Sequence, residues 1–258
     1  KFIYNYQSMK KKNKKVNAAI LIIGNEILSG RTKDKNIAFL ANWLNSKCGI
    51  SINEVRIIPD TEKTIVKNVL DMSKKFNYVF TTGGIGPTHD DITAKSISKS
   101  FNVKYEYHDE AFKILENYYG KSKFNEGRRK MAKMPRGSKL IYNPSSAAPG
   151  FKIKNVFCLP GVPTILMSMI INCKKYLIKG PKIFSKSINL NTVESKIARD
   201  LGNIQKKYSK FVDIGSYPFF KFGKVGVSVV MRSTNIIKIN NCEKLIKKMV
   251  KNKNIYIH

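Results

Sequence analysis

Between Tyr78 and Thr93 the chain reads Y-V-F-T-T-G-G-I-G-P-T-H-D-D-I-T, a run that brings together residue types able to handle phosphate. Gly83, Gly84 and Gly86 free the backbone to adopt positive φ and to approach a ligand closely. A helix starting just beyond such a turn offers an anion its unpaired N–H groups and the positive end of its dipole. Asp90 and Asp91 follow at once. Two carboxylates beside an anion cradle make chemical sense when Mg²⁺ or another divalent cation lies between them and a phosphate. The plainer alternative is a tight strand-to-helix turn in which Asp90 or Asp91 caps the helix. Three glycines and two adjacent acids, in a chain with only 17 acids, favour a site. Thr88 and Thr93 would add hydroxyl donors, and His89 is either an acid–base group or a solvated loop residue.

The elements that must position this turn are read from periodicity. Ala18–Ile23 is apolar throughout, as buried parallel strands are. Glu26 follows at the strand's C-terminal end, where ligands of open α/β sheets gather; a solvated loop acid is the alternative. Ile37, Leu40, Ala41 and Leu44 predict a helix capped by Asp34, with Trp43 in the core or at an interface. Ser51–Ile58 is a second strand. Asp60 just beyond it reads by itself as the N-cap of a helix carrying Ile65, Val69 and Met72. Phe76–Thr82 is the third strand and leads into the glycine turn. Alternating strands and helices with unbroken apolar strands predict an α/β domain, a mostly parallel sheet covered on both faces in three layers.

Past Thr93 the pattern predicts a helix to about Phe101, a short strand at Val103–Tyr107, and helices over His108–Tyr119 and Phe124–Met134. Strands at Lys139–Tyr142 and Val156–Leu159 and a last helix to about Ile178 complete the domain. The loop N-P-S-S-A-A-P-G-F, Asn143–Phe151, suits a ligand-facing segment, with Ser145 as a candidate phosphate contact. Gly180-Pro181 marks a boundary. The expected organisation is therefore a tail over 1–15, the α/β domain over 16–179, and a small α+β domain over 180–258. Its β-α-β-β-α-β order is that of a split βαβ unit, with Gly215–Pro218 read as a turn. Residues 1–15 are basic and aperiodic and read as disordered. Met9 is a candidate start, leaving Lys1–Ser8 as upstream translation or tail.

Bulk composition sets limits on partners and compartment. The formal net charge is +31, from 48 Lys and Arg against 17 acids. That favours nucleic acid electrostatically, but the excess is spread-out Lys among abundant Asn and Ile, as AT-rich coding produces. No stripe alternates aromatic with basic residues, so no specific nucleic-acid recognition is expected. No apolar run reaches membrane-spanning length. Cys48, Cys158, Cys173 and Cys242 are scattered and form no C-x-x-C pair, which argues against a zinc site or disulfide framework and points to a reducing, cytoplasmic setting.

Four stretches carry a family resemblance: G-N-E-I-L-S-G-R-T-K-D-K-N (Gly24–Asn36), Asp60, T-G-G-I-G-P-T-H-D-D-I-T (Thr82–Thr93) and A-P-G-F…L-P-G-V-P (Ala148–Pro163). From about Ala18 to Ile178 the chain resembles the molybdopterin-binding-like domain of the competence/damage-inducible protein A family. That domain is similar to molybdenum-cofactor biosynthesis proteins and to the N-terminal part of eukaryotic FAD synthases. Glu194–Ala198 and Ile214–Pro218 resemble the small domain that follows in the same group. The resemblance implies a layered α/β fold, a glycine-rich loop binding a pterin (molybdopterin) or nucleotide phosphate, and a homo-oligomer, dimer or trimer. In several branches it also implies metal-dependent hydrolysis of a nucleotide pyrophosphate such as ADP-ribose or FAD. By motif match Asp91 stands at the family's acid after the glycine loop, and Asp60 at the acid after its second strand. On the hydrolase expectation Asp90 or Asp91, with Glu26 or Asp60, would hold the metal. The competing expectation is a binding protein that uses the same cradle without turnover.

Overall fold

The computed structural model of the chain describes residues 15–257 except residue 222. The expected basic tail therefore lies, but for Lys15, outside the described residues. The chain divides into two compact units between Gly180 and Pro181.

The first unit is built on a six-stranded sheet. In chain order its elements begin with β1 (Val16–Ile23), a single helical turn α1 (Asn25–Leu28), α2 (Asn36–Trp43) extended by a π-helical turn to Cys48, and β2 (Ile50–Ile58). They continue with α3 (Glu62–Lys75), β3 (Tyr78–Thr82), α4 (Thr93–Ser100), β4 (Tyr105–Tyr107), α5 (Asp109–Tyr119), α6 (Glu126–Lys130) and β5 (Lys133–Pro135). Strands β6 (Lys139–Ile141), β7 (Gly150–Ile153) and β8 (Val156–Leu159) and helix α7 (Pro163–Met169), followed by a 3₁₀ stretch to Tyr176, complete it. The sheet order is β2-β1-β3-β8-β7-β6. The first four strands are mutually parallel, and β7 is antiparallel to both its neighbours.

β1 explains why the sheet lies between two helical layers. Its side chains alternate between faces, and both faces are apolar. Ala19, Leu21 and Ile23 pack in one core with Ile65, Val69 and Met72 of α3 and Ile97 of α4. Ala18, Ile20 and Ile22 pack in the other with Leu40 of α2 and Leu166 and Met169 of α7. Each fully buried aliphatic side chain contributes ~1.5–3 kcal/mol, so the two cores pin the register of β1 and with it the loops at its end. Trp43 packs partly buried against the second core.

The second unit contains β9 (Phe184–Leu190), α8 (Glu194–Tyr208), β10 (Asp213–Lys221), β11 (Lys224–Ser233) and α9 (Ile236–Asn252). Its sheet order is β10-β11-β9, both pairings antiparallel, so β11 lies between the strands that α8 connects: a split βαβ arrangement. Asn235 caps α9, its side chain accepting from the N–H groups of Ile237 and Lys238.

Several expected elements differ. Phe124–Met134 is helical only over Glu126–Lys130, because Lys133–Pro135 is drawn off to pair with β4. β7 begins inside the expected loop Asn143–Phe151. Gly215–Pro218 is not a turn but lies within β10, Ser216 facing Val229 and Pro218 facing Val227, because the hairpin reverses further on. The expected last strand is a single bridge between Leu190 and Ile257. Among the described residues no helix is long and apolar enough to cross a membrane.

Candidate functional site

The parallel strands β2, β1, β3 and β8 end on the same edge, at Ile58, Ile23, Thr82 and Leu159. From β1 the chain winds one way to β2 and the other way to β3 and β8. Connections leaving in opposite directions open a crevice between β1 and β3, the switch point where open α/β sheets bind ligands. The loops around it are stitched together. Gly24 donates its N–H to Ile58 O at 3.2 Å, and Gly83 donates to Leu159 O at 3.1 Å. Asn25 donates its N–H to Asp60 Oδ2 at 2.8 Å, and Asn36 Nδ2 donates to Gly161 O at 2.8 Å.

The glycine turn seats on this crevice through two positions that exclude a side chain. Gly83 has φ +101°, and a Cβ there would lie 2.1 Å from Ile23 O. Gly84 has φ +68°, and its Cβ would lie 2.1 Å from Thr93 Oγ1. Thr93 is fully buried and supports the turn from beneath, donating its N–H to Gly84 O at 2.9 Å. Gly86 is outside the positive-φ set; Asp91 Oδ2 fills the space beside it, 2.7 Å from where a Cβ would be. The N–H groups of Gly84, Ile85 and Gly86 donate to no other described residue. Three consecutive donors without a protein partner at a strand end are available to cradle an anion.

The acids gather on the same edge. Asp90 and Asp91 do not cap α4, whose N-cap is Ile92 without a side-chain bond. Instead Thr88 holds both: its Oγ1 lies 2.5 Å from Asp90 Oδ1 and 2.5 Å from Asp91 Oδ2, and its N–H donates to Asp91 Oδ2 at 2.8 Å. A hydroxyl carries one proton, so it satisfies only one of the two carboxylates at a time. The Thr88 hydroxyl is also what lowers the Asp90 carboxyl most, below the usual carboxylate value. Asp60 likewise is no helix cap, since Thr61 occupies that place in α3; it holds the Asn25 loop instead. Burial is the largest effect raising the Asp60 carboxyl above its ordinary value. The Asn25 N–H opposes it, and the charges of Glu26, Asp90 and Asp91 add to it. Asp60 thus lies within electrostatic reach of the other three acids. Glu26 is exposed on the single turn α1, its carboxylate folded back over Gly24.

Other candidates are placed differently. Ser145 belongs to a loop wound around the buried Asn143, and its Oγ donates to Ser168 Oγ at 2.8 Å, so its hydroxyl ties that loop to α7. His89 is exposed and makes no side-chain bond among the described residues. Sequence reasoning did not single out Asn36 and Thr82, both buried, whose Oδ1 and Oγ1 have no hydrogen-bond partner among the described residues; Thr93 Oγ1 is a third such atom. Buried unpaired polar atoms are rare in native proteins, and here all three flank one crevice. An Asn in the first helical turn, two residues after an Asp whose Oδ1 accepts the Ile37 N–H, was the available signal for Asn36.

Fold and crevice together define a doubly wound α/β ligand-binding domain followed by a small α+β unit. Residues 19–179 match the family described as "Probable molybdopterin binding domain", and residues 182–258 match "FAD synthase, middle domain". The chain belongs to the molybdopterin-binding domain family, in the branch it shares with CinA-type proteins. A protein of Archaeoglobus fulgidus is 35% identical over 199 residues, covering 77% of this chain and 84% of that relative. A CinA-like protein of Sulfurihydrogenibium sp. is 30% identical over 239 residues, covering 89% of this chain but 57% of the relative. The crystal structure of CinA from Thermoplasma acidophilum, described as of unknown function, superposes with a TM-score of 0.59 at 30% identity, over 63% of this chain and 98% of that one.

Proposed function

We propose that the protein is a metal-dependent nucleotide pyrophosphatase of the ADP-ribose or FAD class, acting at the Gly83–Gly86 turn. The observation that carries this reading is the placement of three N–H groups without a protein partner beside Asp90 and Asp91, which share the Thr88 hydroxyl, at the β1/β3 switch point. A cradle of N–H groups alone would suit a phosphate, but four carboxylates beside it would repel one. A divalent cation resolves the conflict. The donors fit Mg²⁺, which takes hard oxygens, commonly one or two carboxylates with the substrate's phosphates supplying others. Two carboxylates sharing a single hydroxyl proton at Thr88 fit a cation equally well.

Asp90 and Asp91 would hold the metal, with the substrate's phosphate oxygens completing its shell; Glu26, expected as a further ligand, does not gather with them closely enough to make a three-residue site. The metal, when bound, would neutralise phosphate oxygens and acidify water. The N–H groups of Gly84, Ile85 and Gly86 bind the phosphoryl oxygens and stabilise charge growing on the leaving phosphate. Asp60, with its proton affinity raised by burial and by its acidic neighbours, takes a proton from the attacking water. Water oxygen bonds to one phosphorus, the bridging P–O bond breaks, and its electron pair leaves with the other phosphate. ADP-ribose would give AMP and ribose phosphate, and FAD would give AMP and FMN. The same reading includes a homo-oligomer and a cytoplasmic setting, the latter supported by four free, buried thiols.

A second reading, a non-catalytic molybdopterin binder or molybdenum-cofactor biosynthesis protein, is favoured by a different observation. Among the described residues no three His, Cys, Asp or Glu side chains gather closely enough to hold a metal by themselves. The two readings part in one experiment: incubation with ADP-ribose, FAD, NAD and a molybdopterin source, with and without Mg²⁺, following AMP release. Mg²⁺-dependent AMP release supports the hydrolase; pterin binding without turnover under every metal tried supports the binder.

A further inference from the structure

The two edges of the first unit's sheet are guarded differently. β6, at one edge, is three residues long and opens on Lys139. β2, at the other, is nine residues long and contains no Lys, in a chain with 48 Lys and Arg. Short strands and lysines are common devices that stop a sheet edge from pairing with another chain, and β2 has neither. Its one irregularity is the extra residue Asn53 at the Ala18/Ala19 step. From Glu54 to Ile58 the register with β1 is unbroken.

The hydrogen bonds show which groups of β2 are free. Ile58 O accepts from the Gly24 N–H and so points toward β1. Backbone groups of successive strand residues point to opposite sides, so Glu54 and Arg56 also address β1, while Val55 and Ile57 direct N–H and C=O outward. Beyond the β1 ladder and the Gly24 bond, β2 makes no main-chain hydrogen bond among the described residues. The same two residues leave apolar side chains exposed, Val55 by 39% and Ile57 by 40%, beside Ile20 and Ile22 of β1.

We propose that β2 is a homodimer interface, pairing antiparallel with β2 of a second copy about a two-fold axis through Val55. At that axis Val55 meets Val55 and the two exchange N–H to C=O bonds, while Glu54 faces Arg56 in both directions. An axis through Glu54 or Arg56 would set like charges opposite each other, and one through Ile57 would set Glu54 against Asp60. An axis through Asn53 would oppose both charges to isoleucines, Ile52 and Ile50. Glu54 and Arg56 already pair within the strand at 2.5 Å, and Arg56 also holds Asp71 at 2.5 Å, so the second copy extends an alternating network and buries no unpaired ion. The contact is isologous and closes at two copies. It gives a surface to the homo-oligomer of the reading above and is independent of hydrolysis.

Sedimentation velocity of the full chain across a concentration series, with cysteine probes on β2, tests the interface. The parent should shift to a dimer as concentration rises. Val55→Lys with Ile57→Lys, both at exposed positions, should raise the dimer dissociation constant by about a hundredfold or more and leave the melting transition in place. Val55→Cys should oxidise to a covalent dimer, because residues in such a pair have Cα atoms about 5.5 Å apart, within disulfide range. Ile57→Cys, whose own mate lies further along the strand, should not. Cys48, Cys158, Cys173 and Cys242 are buried, so the added thiol is the reactive one. A parent that stays monomeric, a trimer, a dimer unmoved by the lysine pair, or cross-linking of Ile57→Cys as fast as Val55→Cys would overturn the proposal. Should the lysine variant misfold, the two cysteine variants still decide. Dimerisation through β2 without AMP release would count against the hydrolase and leave the interface standing; hydrolysis by a monomer would do the reverse.

Discussion

Gly84→Ala tests whether the glycine turn is shaped by its support or only by its ligand. The new Cβ would lie 2.1 Å from Thr93 Oγ1 and 3.1 Å from Thr93 Cβ, at φ +68°. The left-handed backbone costs an L-residue about 1–2 kcal/mol, and forcing a methyl into filled space adds ~1–3 kcal/mol, for a total of about 2–5 kcal/mol. Thr93→Ala removes a buried hydroxyl that has no partner, so alone it should cost ~1 kcal/mol or less, since no hydrogen bond is lost. In the double variant the Oγ1 overlap disappears and the backbone strain stays. The cycle should therefore show a coupling of about 1–3 kcal/mol in favour of the double variant. Trp43, the single tryptophan, lies in the first unit, so its fluorescence during urea unfolding reports the relevant transition. Additivity within about 0.5 kcal/mol would refute the packing account of Gly84. The same geometry means that loss of ligand binding in Gly84→Ala or Gly84→Val says nothing about direct contact with phosphate.

Two further outcomes are expected. Asp60→Asn keeps an acceptor for the Asn25 N–H but removes a carboxylate whose folded pKa is raised. The native state then holds the Asp60 proton more tightly than the unfolded chain, so ionised Asp60 lowers stability as pH rises from the ordinary carboxylate range through its folded pKa. Asp60→Asn should be as stable as the parent or more so at pH 7, with the advantage vanishing in acid, while turnover falls; thermal melts across pH check this, and a stability deficit that grows toward pH 7 would contradict it. DNA binding driven by the +31 charge should be weak, sequence-independent and lost toward physiological salt in a filter or anisotropy assay; nanomolar selective binding there would contradict the small-molecule reading.

What was legible in the sequence was whatever local pattern dictates. The apolar runs of β1 and β3 carry buried faces on both sides, so they announce a parallel sheet, and the glycine turn announces its own place at a strand end. Residues fixed by distant partners were not legible. Asp60 and Asp91 satisfy the pattern of helix caps, yet Asn25 and Thr88 claim them. Lys133-Met134 continues a helical pattern until β4, far earlier in the chain, offers a strand partner, Tyr107 facing Lys133 and Glu106 facing Met134. Ser216–Pro218 contains turn-forming types but is held in β10 by a long ladder with β11.

Turnover and stability of Asp91→Asn, measured side by side, test the central claim most directly. The asparagine can still accept the Thr88 N–H that Asp91 now takes at 2.8 Å, so the melting transition should shift by no more than about 1 kcal/mol. The charge beside the cradle is lost. Mg²⁺-dependent AMP release from ADP-ribose or FAD should therefore fall by about a hundredfold or more, and be only partly recovered at high Mg²⁺. Activity near the parent level in a variant of unchanged stability would contradict the account, and Asp91 would then serve only to hold Thr88 in place.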